Sequence, residues 1–361
     1  MFSVTFFAIT SSYLSSDFFT LDVADFTGKP ADEADVKSFI QKHKKYIGSL
    51  AIDGIGESLE ISEQQIETIA KKFLLAVKEA GKIYRHIEAA KGAPAKPGSD
   101  RTSLRPDFIT EVSMDETDEP QTPVEMFFIL AAIADERIPA QTIAPKFTGR
   151  FNKGVDYVGN VTKFAKEFEE DLAVVAFAVK EFGLPENLKM SIHSGSDKFS
   201  IYGPIKEALK KFDAGLHLKT AGTTWLEELI GLALAGGDGL AIAKEVYAKA
   251  LSRIDELCAP YATVIDIDRA KLPRPQDVDK WDGKKFAAAL RHNQRCQEYN
   301  PHFRQLLHIA YKIAAEMGTR FSDALDKYED VIAKNVTENI YERHIKPLFF
   351  MGEGVAEAGG G

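Results

Sequence analysis

The chain has 361 residues, of which 45% are hydrophobic and 27% are charged, a composition typical of a soluble globular protein with a sizeable core. Its formal net charge of -9 argues against a basic face for binding nucleic acid. No apolar run reaches the ~20 residues that a membrane-spanning helix requires, so we expect neither a nucleic acid nor a membrane as a partner.

The first residues, MFSVTFFAITSSYLSSDFF, are apolar but differ from a secretory signal peptide. They contain no basic residue, and Ser and Tyr interrupt the apolar run. The two cysteines, Cys258 and Cys296, lie far apart and form no CxxC pair, so neither a disulfide framework nor a cysteine zinc site is indicated. We therefore expect a cytoplasmic protein.

Short β-rich runs alternate with long amphipathic runs from residue 18 onward, which predicts a parallel sheet whose strands are linked by helices. Six strands are predicted, at Phe18–Phe26, Asp107–Met114, Ala140–Phe147, Lys189–Ser194, Leu216–Thr220 and Thr263–Ile267. The long helix after the first strand starts with a pattern that resembles a capping box, formed by Ser62 and Gln65. After Trp281 the sequence predicts helices at Lys284–Asn293, Phe303–Met317 and Phe321–His344.

The segment 92–106 is rich in Gly, Pro and Ser and predicts an enlarged loop within one domain. Six strands in βα alternation fit either a doubly wound open sheet or an eight-stranded barrel without its first two units. The polar strand ends favour an α/β fold of the TIM-type (β/α) barrel class, incomplete at its N-terminal end and carrying extra C-terminal helices. We expect a single domain over residues 1–350 and a disordered tail over 351–361.

Polar side chains gather at the ends of five successive predicted strands. They are Asp22, Asp25, Glu111, Asp115, Glu116, Lys146, Arg150, His193, Ser194, Ser196, Asp197, Lys198, His217 and Lys219. In parallel βα proteins the loops after the strands open onto one face, where reacting groups meet. A single polar strand end would indicate only a strand that reaches solvent, but five in succession indicate a functional site.

Two histidines, His193 and His217, lie in apolar runs near the ends of successive strands, and one βα unit fits between them. One interpretation is a divalent metal shared by both imidazoles, with zinc, manganese, nickel or cobalt as the ion and Glu111 or Asp22 as a third ligand. The other is a pair of core histidines that are hydrogen-bonded to the backbone or to Ser194.

Several other residues of these segments also have two interpretations. Lys146 and Lys219 follow apolar strand residues, so they either hold a substrate carboxylate or pair with a carboxylate at the surface. The string HSGSDKFS has the Gly and Ser content of a phosphate-binding nest. His308 follows Leu306 and Leu307 on an apolar helix, so we expect it to be a packed histidine rather than a ligand.

Six segments between Glu111 and the C-terminus resemble the tagaturonate/fructuronate epimerase family, whose relatives include tagatose 4-epimerases. They are EVSMDET, KFTGRFNKGVDYVGN, KMSIHSGSDKFSIY, LHLKTAGTTWLEEL, NPHFRQLLHIAYKIAAE and YERHIKPLF. The resemblance implies a TIM-type barrel, a divalent metal and the interconversion of D-tagaturonate and D-fructuronate in hexuronate catabolism. It also implies that His193 and His217 bind the metal and that Glu111 is the acid/base residue, with Asp115 or Glu116 as the alternatives.

Members of that family carry a considerable portion before the equivalent of FFTLDVADF, so we expect the first two barrel units to be missing from this chain. We predict catalytic roles for Glu111, Asp115, Glu116 and Lys146. We predict substrate binding by Lys219, Arg150, Ser194, Ser196, Asp197 and Lys198. The expected partner is a small ketouronate or ketose, and a homo-oligomer is left open.

The substrates constrain the mechanism, because the inverted carbon lies one position beyond the carbon next to the ketone. Simple enolisation therefore cannot invert it. Transient oxidation would require a nicotinamide, and the sequence contains no strand–GxGxxG–helix. Retro-aldol cleavage requires a Lewis acid and an acid/base group, which a metal, a carboxylate and a lysine can supply. Direct proton abstraction beside a strongly activating metal is the alternative.

Three other functions stay open at this point. The chain could be a tagatose/fructose 4-epimerase, or another metal-dependent ketose isomerase or aldolase. It could also be a truncated, non-catalytic protein that binds sugar acids, since fold similarity does not decide activity. A bound, stoichiometric metal would favour an enzyme.

Overall fold

The computed structural model describes residues 16–91, 108–115 and 117–350, together with the backbone of residues 2 and 3. The predicted loop at 92–106, the predicted catalytic residue Glu116 and the predicted tail at 351–361 lie outside the described residues. Within the described ranges, no helix has both the length and the apolar character that crossing a membrane requires.

Six strands form the main sheet, and two further strands form a separate pair. In chain order the strands are β1 (Phe2–Ser3), β2 (Phe18–Asp22), β3 (Gly48–Leu50), β4 (Leu59–Ile61), β5 (Ile109–Ser113), β6 (Thr142–Ala144), β7 (Lys189–Ile192) and β8 (Leu216–Leu218). The order in the main sheet is β1, β2, β5, β6, β7, β8, and its pairs from β1 to β7 are parallel. The mixed α/β fold with a parallel sheet is therefore confirmed.

Five of the predicted strands occur as shorter segments, and the sixth prediction is wrong. The segment 263–267 is irregular, because its backbone groups bond singly to other loops and helices instead of to a strand. Val264 accepts a hydrogen bond from the backbone of Lys153, and the amide of Asp266 donates to the side chain of Gln305. The antiparallel pair β3 and β4 was not predicted, because three residues are too few to show alternation.

Helices occupy most of the chain between and after the strands. Through β8 they are α1 (Glu33–His43), α2 (Glu63–Ile69), α3 (Leu75–Lys91), α4 (Pro123–Asp135), α5 (Val161–Phe182) and α6 (Phe199–Phe212). After β8 they are α7 (Ala221–Ala235), α8 (Gly237–Ser252), α9 (Ile254–Cys258), α10 (Pro275–Val278), α11 (Gly283–Leu290), α12 (Pro301–Ile309), α13 (Tyr311–Glu316), α14 (Thr319–Lys327), α15 (Glu329–Thr337) and α16 (Lys346–Phe349). The predicted helical character of the segment after Trp281 is confirmed.

Capping boxes fix the starts of two helices. Ser62 and Gln65 each bond the backbone N–H of the other at the start of α2, which confirms the predicted box. Thr122 and Glu125 do the same at the start of α4. These reciprocal bonds satisfy N–H groups that the first turn of a helix would otherwise leave unpaired.

The chain divides into two compact units. The first unit contains Met1–Thr148, Thr162–Ile192 and Glu207–His217, and the second contains Gly149–Val161, His193–Lys206 and Leu218–Gly361. The main sheet belongs to the first unit except for the last residue of β8, whereas α7 to α16 belong to the second. The single domain over residues 1–350 stays a prediction.

The main sheet of the first unit is strongly curved. The ring of Phe18 on β2 packs on the ring of His217 on β8, with 4.7 Å between the centroids. Four inter-strand steps separate β2 from β8 in the sheet, and these would span ~19 Å in a flat sheet with ~4.8 Å between strands. A flat sheet cannot make this contact, so the side chains of one face converge. A barrel requires curvature of this kind, and its closure stays a prediction.

The second unit is helical, and α7 forms the centre of its core. Leu226, Leu229 and Ile230 on this helix are fully buried. Gly231 lets α15 approach closely, because a Cβ at this position would lie 2.7 Å from the Cα of Ile332. Residues of α8, α11 and α12 complete the same apolar cluster.

Candidate functional site

A buried carboxylate, Glu111, stands at the centre of the concave face in the first unit. Its side chain is 0% exposed, its Oε1 accepts from the hydroxyl of Thr20 at 2.9 Å, and its Oε2 accepts from that of Thr142 at 3.2 Å. The three residues face one another in register on β2, β5 and β6. Partners in register on adjacent strands point to the same face, so the strand pairing itself supplies the hydrogen bonds that a buried carboxylate needs.

The imidazole of His217 lies against this carboxylate. Its Nδ1 is 3.1 Å from Oε2 of Glu111 and 3.1 Å from the hydroxyl of Ser191 on β7. The side chain is 25% exposed, so it reaches from the buried carboxylate towards solvent. A proton on Nδ1 that is donated to Glu111 leaves the lone pair on Nε2. The first unit thus holds one imidazole in a defined orientation.

This arrangement fits a metal-binding histidine. A carboxylate on the far nitrogen of the ring is the usual outer partner of such a ligand, because it fixes the tautomer and makes the ring more basic. Among the residues that the structure describes, no group of three or more His, Cys, Asp or Glu side chains is arranged to hold an ion. The third ligand therefore stays a prediction.

The position of Glu111 also bears on its predicted acid/base role. A fully buried carboxylate that contacts His217 and two threonines is well placed to orient the imidazole. The geometry favours Glu111 as a positioning group for His217, and its direct proton transfer with a substrate stays a prediction. Thr20, Thr142 and Ser191 were not predicted, and the two threonines could be recognised only once the register of β2, β5 and β6 is known.

The other predicted residues of the first unit lie just after the strands. The hydroxyl of Ser113 donates to Asp115 at 2.6 Å. The side chain of Gln121 donates to the carbonyl of Met114 at 3.1 Å and accepts from the backbone N–H of Lys146 at 2.7 Å. Gln121, which the sequence analysis missed, thereby ties together the segments after β5 and β6. Asp115 and Lys146 are both partly exposed.

In the second unit, two predicted site residues contact each other. The Nζ of Lys219 lies 2.6 Å from Nε2 of His193. An ammonium group can only donate, so this contact places the lone pair of the imidazole on Nε2. His193 and His217 belong to different units. The metal that they are predicted to share therefore stays a prediction.

Three of the predicted substrate-binding residues, Ser196, Asp197 and Lys198, are buried in the second unit. The carboxylate of Asp197 accepts from Arg304 at 2.8 Å and lies 3.1 Å from the hydroxyl of Thr223. Arg304 is itself fully buried, and it also donates to the carbonyls of Gly154 and Leu290. The sequence analysis missed Arg304, although an arginine within the apolar helix PHFRQLLHI was a signal that could have found it.

Two histidines flank the free side of this carboxylate. Among the residues that the structure describes, none forms a hydrogen bond with Oδ1 of Asp197, which lies 3.7 Å from Nδ1 of His292 and 3.7 Å from Nε2 of His344. Burial alone would raise the pKa of Asp197, but the charge of Arg304 and the two histidines hold it well below its ordinary value. Asp197 is therefore an ionised carboxylate, and Arg304 neutralises its charge.

Lys198 ties two loops of the second unit together. Its Nζ donates to the carbonyls of Asn152, Val155 and Ser196, at 2.8, 2.6 and 3.1 Å. With all three protons engaged, the ammonium has no donor left for a ligand. The geometry therefore favours a role for Asp197 and Lys198 in holding the loop after His193. Their direct contact with a substrate stays a prediction.

The remaining predicted residues are more open. Ser194 is partly exposed and has a φ of 52°, in the left-handed region. The guanidinium of Arg150 lies 3.3 Å from the carboxylate of Asp266, and both side chains are more than half exposed. Arg150 is thus held by one weak surface pair and can reorient towards a ligand.

The burial of Lys198 leads to a prediction about the pH dependence of stability. Burial lowers the pKa of Lys198 from 10.5 to about 8, against the opposing charges of Asp197 and Asp156. Between these two values the unfolded chain binds the proton that the folded chain releases, so the free energy of unfolding should rise with pH in this window. The rise is on the order of 3 kcal/mol.

Urea unfolding at several pH values tests this prediction. Both tryptophans of the chain, Trp225 and Trp281, lie in the second unit, so their fluorescence reports on the unit that contains Lys198. Lys198→Met should lose the rise between about pH 8 and 10.5. Lys334→Met, which removes an exposed lysine of the same unit, should keep it. Equal slopes in all three proteins would contradict the prediction.

Comparison with known proteins places these features in a family. A family profile described as tagaturonate epimerase matches residues 10–348. A tagaturonate/fructuronate epimerase from Thermotoga maritima is 27% identical over 298 residues, which make up 81% of this chain and 53% of the relative. The chain therefore spans about half the length of this curated relative.

Solved structures with the same fold come from Cohnella laeviribosi. A fructuronate-tagaturonate epimerase in complex with glycerol matches with a TM-score of 0.68 and 21% identity, over 92% of this chain and 64% of that chain. The native structure of that epimerase matches with a TM-score of 0.66 and 22% identity, over 93% of this chain and 65% of that chain. At this identity the likeness shows a shared fold.

Proposed function

The chain belongs to the tagaturonate epimerase family, and from this membership we propose that it interconverts D-tagaturonate and D-fructuronate. The observation that carries the proposal is the match of the family profile over residues 10–348. The names of the relatives do not favour a neutral-ketose epimerase, an aldolase or a non-catalytic binding protein. The free thiols of Cys258 and Cys296 suit a cytoplasmic location, which is part of the proposal.

The curvature of the main sheet supports the proposal that the chain forms a (β/α) barrel. Close packing of Phe18 on His217 requires a face on which side chains from β2 to β8 converge, as in a (β/α) barrel. In that fold, active sites form at the ends of the strands. Glu111, Ser191 and His217 come from three strands of this face.

A divalent metal, if bound, would supply a Lewis acid that stabilises negative charge on the ketone oxygen. His217 would hold it through Nε2, the nitrogen that Glu111 and Ser191 leave available. Glu111 holds the proton on Nδ1 of His217 and so keeps the ring in the tautomer that can bind a metal. His193 is the second predicted ligand. Its Nε2 contacts Lys219, and this contact would have to be given up before that nitrogen could bind a metal.

Retro-aldol chemistry is the mechanism that we propose. The hydroxyl on the inverted carbon gives up its proton to a base, the adjacent C–C bond breaks, and its electron pair passes to the ketone to form an enediolate and an aldehyde. The aldehyde rotates, the bond re-forms on its other face, and the proton returns to the new alkoxide. We propose that Lys219, whose ammonium contacts His193, binds the substrate carboxylate or a hydroxyl.

The direct test is to incubate the chain with D-tagaturonate and each of Zn²⁺, Mn²⁺, Ni²⁺ and Co²⁺, and to resolve the ketouronates formed. D-Fructuronate should appear in at least one of these reactions. A longer relative that is assayed in parallel serves as the positive control for substrate and metal. If the relative forms D-fructuronate and this chain forms none with any ion, the proposal is wrong for this chain.

Deuterium labelling separates the two mechanisms. Retro-aldol cleavage leaves the hydrogen on the inverted carbon throughout, so the product formed in D₂O should carry no deuterium there. Direct proton abstraction exchanges that hydrogen with solvent. Deuterium at the inverted carbon, detected by NMR of the product, would rule out the retro-aldol route.

A further inference from the structure

The imidazole of His308 in the second unit lies between two glycines. A Cβ on Gly222, the second residue of α7, would overlap Cε1 and Nε2 of the ring. Gly154 has a φ of +74°, and a Cβ there would lie 3.1 Å from Cδ2 of the ring. Both positions therefore depend on the absence of a side chain. The indole N–H of Trp225 donates to the carbonyl of Leu307 at 2.8 Å, which holds the backbone next to His308.

No described residue of the chain forms a hydrogen bond with this imidazole. Within the residues that the structure describes, neither ring nitrogen of His308 takes part in a hydrogen bond, and part of the side chain is exposed. Buried histidines with a structural role normally bond to the backbone or to another side chain. His344 does so in the same unit, through the N–H of Asp197 and the carbonyl of Asn339. His308 therefore does not fit the prediction of an ordinary packed histidine.

The surroundings keep the ring neutral. Burial and the positive charges of Lys153, Arg304 and Lys198 together lower the pKa of His308 to about 3, against the opposing charge of Asp197. A neutral imidazole carries one N–H donor and one lone pair, and both are available here. A histidine held neutral at a helix N-terminus can polarise a carbonyl by donating this hydrogen bond.

Three segments that carry the family resemblance meet at this ring. Gly154 and Lys153 belong to KFTGRFNKGVDYVGN, Gly222 belongs to LHLKTAGTTWLEEL, and His308 belongs to NPHFRQLLHIAYKIAAE. The middle segment also contains Lys219, three residues before Gly222. The segment that packs on the ring through Gly222 therefore also carries Lys219, a predicted substrate-binding residue.

We propose that His308 contacts the substrate and donates a hydrogen bond to a ketone or hydroxyl oxygen of the ketouronate. This inference rests on the proposed epimerase function and adds a residue that the sequence analysis had set aside. Gly222 and Gly154 act as positioning residues, because they leave the space that the ring occupies.

Kinetics of three variants provide the first test. His308→Ala should lower kcat/KM for D-tagaturonate ~10²-fold, as removal of one preorganised donor does in other enzymes. His308→Gln keeps an N–H donor and should recover part of that loss. His302→Gln is the matched control on the same helix, because Nδ1 of His302 accepts from the backbone of Asp268. It should keep wild-type kcat and KM.

NMR of the imidazole nitrogens provides a readout that is independent of turnover. The ¹⁵N signals of His308 should be those of a neutral ring from pH 5 to 8, and they should shift when D-tagaturonate is added. Gly222→Ala should displace these signals before any ligand is added. If the wild-type chain epimerises D-tagaturonate while His308→Ala matches it and the His308 signals do not move, this inference is wrong. If the wild-type chain with metal has no epimerase activity, the proposed function fails, and a shift of the His308 signals on addition of D-tagaturonate still decides whether this site binds it.

Discussion

Replacing Asp197 by alanine is expected to lower the free energy of unfolding of the second unit by about 3–5 kcal/mol, as removal of one partner of a buried ion pair does. Asp197 and Arg304 are both fully buried, and their charged groups are 2.8 Å apart. The substitution leaves the guanidinium of Arg304 without a counter-charge. Urea unfolding, followed by the fluorescence of Trp225 and Trp281, measures the loss.

Two further proteins make this measurement specific. Asp266→Ala removes the acidic partner of Arg150 in the same unit, but that pair is mostly exposed and should contribute about 0–1 kcal/mol. Asp197→Ala combined with Arg304→Met removes both buried charges and should cost clearly less than the sum of the single changes. A loss below about 1 kcal/mol for Asp197→Ala would contradict the buried ion pair.

Replacing Glu111 by glutamine should lower kcat by ~10²-fold or more. The amide can donate to Nδ1 of His217, which would move the ring proton to Nε2 and remove the lone pair that faces away from Glu111. A comparable carboxylate-to-amide change in serine proteases reduces turnover through the wrong tautomer. Glu60→Gln, which neutralises an exposed carboxylate on β4, is the matched control and should keep full turnover.

Metal content of the Glu111→Gln protein decides between the two roles of this residue. Loss of the metal would support Glu111 as a ligand or as the partner that prepares His217 to bind. Unchanged metal with slow turnover would support the predicted acid/base role. Turnover close to that of the wild-type chain would contradict both roles and leave Glu111 as a structural carboxylate.

The sequence was sufficient to predict the parallel sheet, because its strands are apolar runs that end in polar residues. It also singled out Glu111 and His217, whose side chains lie 3.1 Å apart in the structure. It could not show that Thr20 and Thr142 bond Glu111, since that depends on the register between strands far apart in the chain.

The predictions for buried polar residues show a second limit of sequence analysis. Asp197 and Lys198 were expected to bind substrate because they follow a strand, yet both are buried and bonded to protein groups. A charged residue at the end of a strand looks the same in the sequence whether its side chain faces solvent or is buried against another protein group. The buried partner of Asp197 is Arg304, which lies on a helix far along the chain, so the sequence did not show this ion pair. His308 was predicted to be a packed histidine because its sequence neighbours are apolar, and those neighbours did not indicate that its ring forms no hydrogen bond with any described residue.

The contact between Phe18 and His217 has a consequence for how the chain reaches its native state. The two rings pack at 4.7 Å, although almost two hundred residues separate them in the sequence. Contacts of such high sequence separation slow folding, because a long loop must close before they form. During synthesis, β2 is made long before β8, so Phe18 cannot pack on His217 until most of the chain has been made. We therefore expect the side chain of His217 to reach its native position late in folding, after the helices have formed.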